Sequence, residues 1–428
     1  MNEPLPNELS ATAAAARIRA GKLTSEALVR ACLERIEARE SAVGAWQFLD
    51  ADRALAAARA ADRAPASGAL HGVPVGIKDI IDTADMPTCL GSPIYANRQP
   101  QWDASCVASI RAAGGIVLGK TVTTEFAYFQ PGKTRNPRGL DHTPGGSSSG
   151  SAAAVADRMV PLALGSQTAA SVIRPATYCG VYGYKASFGD FSLSGIRPFA
   201  ESLDTLGGFS HDVADLALLR SVLIGTPLAS VDAARVPAAI GWCRTPQWEA
   251  AAPTVRDAIA ASVAKLAHAG VPVREVTLPA TFDALADAQL AVNSFEAARN
   301  YRYETERFPE RVSERMRALC EKGWQTPRSA YVEAKQRIAQ GMRELPAVLG
   351  DCRAVIVPAA LDEPPLASIG TGDPLMSRIW TALHVPCLAV PFTTGPRGLP
   401  VGIQLIAAEG DDDALLAIGA WAGAQLAK

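Results

Sequence analysis

An excess of charge of either sign is missing from this chain: 41 lysines and arginines stand against 43 aspartates and glutamates in 428 residues, a formal net charge of -2 with 20% charged residues. No basic face for nucleic acid can be built from that balance. Also absent is an apolar run long enough to span a membrane. The first twenty residues, opening Met1-Asn2-Glu3-Pro4, carry an acidic group and lack the uninterrupted apolar core of a secretory signal, so a cytoplasmic protein is expected. Histidine is scarce, with five copies and no HExxH pattern, and the eight cysteines (Cys32, Cys89, Cys106, Cys179, Cys243, Cys320, Cys352 and Cys387) contain no close pair. This argues against a protein-bound metal and for buried thiols in a reducing compartment. Nor is there a linker: 30 prolines and 35 glycines are spread along the chain, and no Ser/Gly-rich or charged stretch interrupts it. Although the length exceeds the usual single-domain size, one domain over residues 1–428 is expected, an α/β fold with a mostly helical insertion at about 280–350.

What is present is an alternation of apolar periods. Leu28, Cys32, Leu33 and Ile36 share one face of a helix expected over residues 24–39, and residues 51–62 are also helical in character. A strand at 73–78, a helix at 105–113 and a strand at 116–118 then alternate as in an α/β sheet. A second such run covers a strand at 238–242, a helix carrying Val255, Ile259, Val263 and Leu266 on one face, and a strand-like 271–278. Strands return at 354–357 and 401–406, and a helix at 411–426 closes the chain. Lys78 therefore ends an apolar strand, with Val75, Ile77 and Ile80 around it in sequence.

Three short motifs carry chemistry. Thr143-Pro144-Gly145-Gly146-Ser147-Ser148-Ser149-Gly150-Ser151, followed by Ala152 to Ala156, packs hydroxyls onto a backbone loosened by glycine. Gly76-Ile77-Lys78-Asp79 lies upstream on the apolar strand, and Thr168-Ala169-Ala170-Ser171-Val172-Ile173-Arg174-Pro175 lies downstream. A lysine and two serines can form a proton relay, and burial favours the neutral amine that a base must be. In order and spacing the trio resembles the amidase signature enzymes, most clearly over about residues 70–215 and again at Gly398-Leu399-Pro400-Val401-Gly402-Ile403-Gln404.

The resemblance implies a mixed central β-sheet flanked by α-helices and a hydrolase of carboxylic amides that needs neither cofactor nor metal. It implies Ser171 as the nucleophile that carries the acyl group, Ser147, preceded by a cis peptide bond, as the bridge, and Lys78 as the terminal base. The backbone N–H groups of Thr168, Ala169, Ala170 and Ser171 correspond to the family's oxyanion hole. A small amide and water are the implied substrates. Carbamates, anilides and esters yield to the same acyl chemistry, and a homodimer is compatible with the resemblance.

Two departures from the family pattern bear on the site. Ala169 and Ala170 stand where relatives usually carry two glycines; were either position to need positive φ, alanine would cost about 1–2 kcal/mol, and the added methyls would reshape the acyl pocket. Gln167 stands where many members carry aspartate, which weakens a mapping onto the glutamine-dependent transfer-RNA amidotransferase subunits and favours a stand-alone hydrolase. Arg174, three residues after Ser171, either holds a substrate carboxylate in a bidentate fork or ties its loop to a nearby acid. Gln130 and Gln167, with the loop around Tyr128, complete the candidate substrate contacts.

Competing patterns point elsewhere. Gly114 to Thr121 fits the phosphate-loop spacing, but its middle reads as a strand where a loop is required. Gly146 to Gly150 fits the GxSxG elbow, which needs a strand before it and an acid and a histidine after it; His211, His268 and His384 are the candidates. Ser262 and Lys265 imitate an SxxK pair within an amphipathic helix. From a different class, the alternative is a catalytically weak or inactive amidase-like subunit of amidotransferase type. A stable partner protein and no hydrolysis by the isolated chain would mark it.

Overall fold

The computed structural model describes residues 4–428; Met1, Asn2 and Glu3, the opening of the stretch read for a signal, lie outside the described residues. A mixed sheet of 11 strands runs through them: β1 (Trp46–Leu49), β2 (Pro74–Lys78), β3 (Ile116–Thr121), β4 (Leu162–Gln167), β5 (Tyr182–Lys185), β6 (Thr205–Ser210), β7 (Ile240–Trp242), β8 (Val273–Glu275), β9 (Val355–Pro358), β10 (Cys387–Thr394) and β11 (Pro400–Ile406). In space they follow the order β1-β3-β2-β4-β6-β5-β10-β11-β9-β7-β8. Parallel pairing joins β3, β2 and β4, with Ile77 opposite both Lys120 and Leu164, and antiparallel pairing takes over from β4 through β9. Strands β2, β3, β4 and β6 are buried at every position, which is why β2 reads as a continuous apolar run up to its terminal lysine.

The helix Ser149–Ala156 lies buried along its whole length against β4, β2, β6 and β3. Only small residues allow this approach. A Cβ on Gly150 would fall 2.3 Å from the Ala45 carbonyl oxygen and 2.3 Å from the Val122 nitrogen, so the serine-rich turn must carry glycine there. Between β8 and β9 the chain leaves the sheet for the helices Leu285–Asn300, Arg302–Arg307, Glu314–Gln325 and Arg328–Leu349. The first of these packs against the next two long ones and against Leu375–Ala382, which forms one side of the pocket described below. Among the described residues, no helix is long and apolar enough to cross a membrane, all eight cysteines are buried and free, and no group of three or more side chains is arranged to hold a metal ion.

Candidate active site

Each of the three motifs ends at one place because β2 and β4 are parallel neighbours. Lys78 closes β2, the loop 168–172 follows β4, and the serine-rich turn enters the helix that lies across both strands. Lys78 is fully buried, and its Nζ donates to Ser147 Oγ at 2.6 Å and to Ser166 Oγ at 2.9 Å. No carboxylate lies within ion-pair distance of it among the described residues. Burial pushes its pKa from the ordinary lysine value down to about 7, against a weaker upward pull from Asp204. An amine in that setting is partly neutral near physiological pH.

The other serines of the turn are occupied differently. Ser148 Oγ donates to the Ser166 carbonyl at 3.2 Å, Ser149 Oγ to the Val122 carbonyl at 3.4 Å, and Ser151 Oγ to the Leu164 carbonyl at 2.8 Å. They bind the turn to the strand ends, and Ser147 alone among the four faces the lysine. The peptide bond between Gly146 and Ser147 is cis, and Gly145 before it takes φ +82°, a conformation closed to most side chains. A Cβ there would also meet Pro175 Cα at 2.8 Å.

Ser147, Thr168, Ala169, Ala170, Ser171 and Arg174 all line one pocket. The Ser148 N–H donates to the Ser171 carbonyl at 3.4 Å, which sets the two serine segments side by side. Two carbonyls of the loop are hydrogen-bonded: Gln289 Nε2 donates to the Thr168 oxygen at 2.9 Å and Thr381 Oγ1 to the Ala169 oxygen at 2.7 Å. None of the N–H groups of Ala169, Ala170 and Ser171 is hydrogen-bonded to another described residue. All three residues line the pocket. Ala169 and Ala170 do not have positive φ, so the backbone penalty considered for them does not arise. The alanine that does sit in the left-handed region in this pocket is Ala127, φ +61°, beside Phe126, φ +50°, whose ring packs on Tyr301 at 4.8 Å.

Two candidate contacts lie elsewhere. Gln167 is fully buried beneath the loop and is not part of the pocket wall: its Oε1 accepts from the Val172 and Ile173 N–H groups at 2.9 and 3.1 Å, and its Nε2 donates to Thr381 Oγ1 at 3.0 Å. It anchors the start of the helix Ile173–Cys179 through a neutral amide. Gln130 is exposed, outside the pocket, and contributes its backbone carbonyl to the Glu125 N–H at 3.1 Å. Tyr128 does line the pocket, with Phe129 and Phe199. Arg174 lines it too, tied not to an acid but to the Gly146 carbonyl at 2.7 Å and Thr371 Oγ1 at 3.4 Å. Burial lowers its pKa to about 10.

Sequence patterns gave no hint of Ser166, Asp204, Asn293 or Arg378. Ser166 completes the hydroxyl pair around Lys78, and the one signal for it is its place on the strand beside β2. Asp204 accepts from Thr168 Oγ1 at 2.5 Å and from the Phe199 and Ala200 N–H groups, and burial raises its pKa to about 7. Asn293 and Arg378 reach the pocket from helices that carry no motif.

The competing patterns resolve into structure. Residues 116–121 of the phosphate-loop match are strand β3, and Lys120 Nζ sits 3.3 Å from Asp79 in the core. His211 bonds the Val155 carbonyl and His384 the Ser202 carbonyl, and neither they nor His268 line the pocket. Ser262 and Lys265 each bond a backbone carbonyl, of Ile259 and Leu426.

Comparison with known proteins follows the same geometry. Residues 27–416 match the family described as Amidase. A glutamyl-tRNA(Gln) amidotransferase subunit of Chloroflexus aggregans is 33% identical over 468 residues, covering 96% of this chain and 95% of the relative. That relation runs the length of the chain, so the Gln167 departure is a local one. Among solved structures, an amidase aligns with a TM-score of 0.89 and 29% identity over 98% of this chain and 100% of its own. The native peptide amidase from Stenotrophomonas maltophilia aligns at 0.86 and 27%, over 99% and 98%.

Proposed function

The chain belongs to the amidase family, and we propose that it is a serine hydrolase cleaving the C–N bond of carboxylic amides through an acyl-enzyme on Ser171. The observation that carries this reading is a fully buried lysine with a pKa near 7, hydrogen-bonded at 2.6 Å to a serine in the wall of the pocket that also holds Ser171. Neutral Lys78 accepts the proton of Ser147, which accepts that of Ser171 as its oxygen attacks the carbonyl carbon. The oxyanion that forms meets the N–H groups of Thr168, Ala169, Ala170 and Ser171. Returning along the same hydroxyls, the proton reaches the leaving nitrogen and the C–N bond breaks. Water then attacks the ester by the same relay, releasing the acid and restoring Ser171. No cofactor enters any step. Carbamates, anilides and esters fit the same acyl transfer, and eight free, buried thiols suit a reducing cytoplasm.

A second reading, a component of amidotransferase type that works with a partner protein, is favoured by the similarity to the Chloroflexus protein. One experiment separates them. Intact-mass and peptide mapping after a serine-directed fluorophosphonate, with the isolated chain, should place a single label on Ser171, alongside hydrolysis within a panel of amides, anilides, carbamates and esters. No label and no turnover by the isolated chain would favour the partnered component.

A further inference from the structure

Two peptide groups of the loop before Ser171 are each held by the carbonyl from a helix that carries no motif. Gln289, buried on the helix Leu285–Asn300, donates to the Thr168 oxygen, and Thr381, buried on Leu375–Ala382, donates to the Ala169 oxygen. Neither of the peptide bonds 168–169 and 169–170 is cis, and in a planar trans peptide the C=O and the N–H that follows it point in opposite directions. Fixing the Thr168 carbonyl therefore sets the direction of the Ala169 N–H, and fixing the Ala169 carbonyl sets that of the Ala170 N–H. Each of the two side chains is in turn held in one sense only. Arg378 Nη1 donates to Gln289 Oε1 at 2.6 Å, so residue 289 must accept from a guanidinium on one side and donate to a carbonyl on the other, which an amide does and a carboxylate does not. Thr381 Oγ1 accepts from Gln167 Nε2 at 3.0 Å while donating to Ala169, and Gln167 Oε1 is committed to the Val172 and Ile173 N–H groups. Buried polar networks satisfied in this way rigidify what they hold.

We infer that Gln289 and Thr381 are positioning residues of the oxyanion site: each holds one peptide plane of the loop so that the N–H of Ala169 or Ala170 stands fixed where charge develops on the carbonyl oxygen of the substrate. This rests on the hydrolase reading and adds to it two side chains, from helices outside the three motifs, on which its backbone donors depend. Such donors are effective because their orientation is settled before the reaction; a peptide plane free to turn gives up part of that effect. The helical excursion between β8 and β9 acts through Gln289 without touching the reacting atoms.

For wild type, Gln289→Met, Gln289→Glu, Thr381→Val and Thr381→Ser, kcat and KM would be measured on one hydrolysed amide, on the folded fraction set by chemical denaturation, together with inhibition by a boronic acid bearing the same acyl group, which adds to Ser171 as a tetrahedral mimic. Gln289→Met removes both bonds of the side chain, whereas Gln289→Glu keeps its size and the acceptor for Arg378 and loses only the donor to Thr168. Both should lose about tenfold to hundredfold in kcat with KM within about threefold of wild type, and affinity for the boronic acid should fall in parallel. Thr381→Val should behave alike, while Thr381→Ser, which keeps the hydroxyl, should stay within about threefold of wild type in kcat. A Gln289→Glu enzyme as fast as wild type, losses confined to KM, or equal impairment of Thr381→Val and Thr381→Ser would overturn the inference and leave the hydrolase reading intact. A wild-type chain that takes no fluorophosphonate and turns over no member of the panel would reject the hydrolase reading and the inference with it.

Discussion

The ends of β2 and β3 lie side by side, and each buries a lysine completely, yet the two amines meet opposite surroundings. Lys120 has Asp79 at 3.3 Å, the Ile81 carbonyl at 2.8 Å, and Thr88 Oγ1 at 2.5 Å. Lys78 has two hydroxyls and no carboxylate. Burial lowers the pKa of both, but at Lys120 the neighbouring carboxylate pulls it back up, and in turn Lys120 restrains the burial-driven rise of the Asp79 pKa, which reaches about 6. Burial alone therefore does not make a base. What separates the two amines is the carboxylate beside Lys120, which opposes the effect of burial there and has no counterpart at hydrogen-bond distance from Lys78.

Replacing each lysine with methionine sets the two roles against each other. Lys78→Met should fold and lose roughly 10³- to 10⁴-fold in kcat, because the proton of Ser147 has no acceptor left. Lys120→Met should keep the pocket chemistry but cost about 3–5 kcal/mol of stability, since Asp79 would be buried without its partner. Chemical denaturation followed by kinetics on the folded fraction measures both. If Lys78→Met loses stability and Lys120→Met loses only turnover, the contrast is inverted.

The pH profile sharpens the same point. Lys78 has a pKa of about 7, so below it the amine carries its proton and cannot accept another. The value of kcat/KM should rise about tenfold per unit up to that midpoint and level off above it. Asp204 pulls the Lys78 pKa upward, so Asp204→Asn should move the midpoint to lower pH. A midpoint that stays fixed or moves upward would assign the limb to another group.

The motif-bearing half of this site could be read from the chain: the terminal lysine of an apolar strand, the glycine-rich turn and the loop at Ser171 are local patterns, and β2 and β3 announce themselves by apolar run. The fold around them was less legible. Strands β4 and β6, which set the loop and Asp204 in place, carry Gly165, Gly207 and Gly208 in their interiors, and glycine weakens a strand signal. Their small size serves packing that appears only in three dimensions. The opposite wall was invisible for another reason. Leu290, Asn293 and Arg378 come from helices more than 100 residues downstream of Ser171, where only tertiary packing brings them to the pocket. Gln167 misled in the reverse sense: its position beside the loop at Ser171 suggested a substrate contact, but the side chain is spent on the N–H groups of Val172 and Ile173.

The smallest effect expected on the comparison comes from Ser166, the second hydroxyl on Lys78. Ser166→Ala removes a neutral partner that orients Nζ without supplying or accepting the proton of Ser147. Loss of one such hydrogen bond is worth about 1 kcal/mol, or roughly fivefold in kcat, with KM little changed because Ser166 is not part of the pocket wall. The pH midpoint should hold near that of the wild type, since no charge is gained or lost. Ser166→Asp sets the opposite condition, giving Lys78 the kind of partner that Lys120 has. The midpoint should then move upward, with activity suppressed at neutral pH and recovered in alkaline buffer. A Ser166→Asp enzyme with an unshifted profile would mean that hydroxyl partners are not what distinguishes the two lysines.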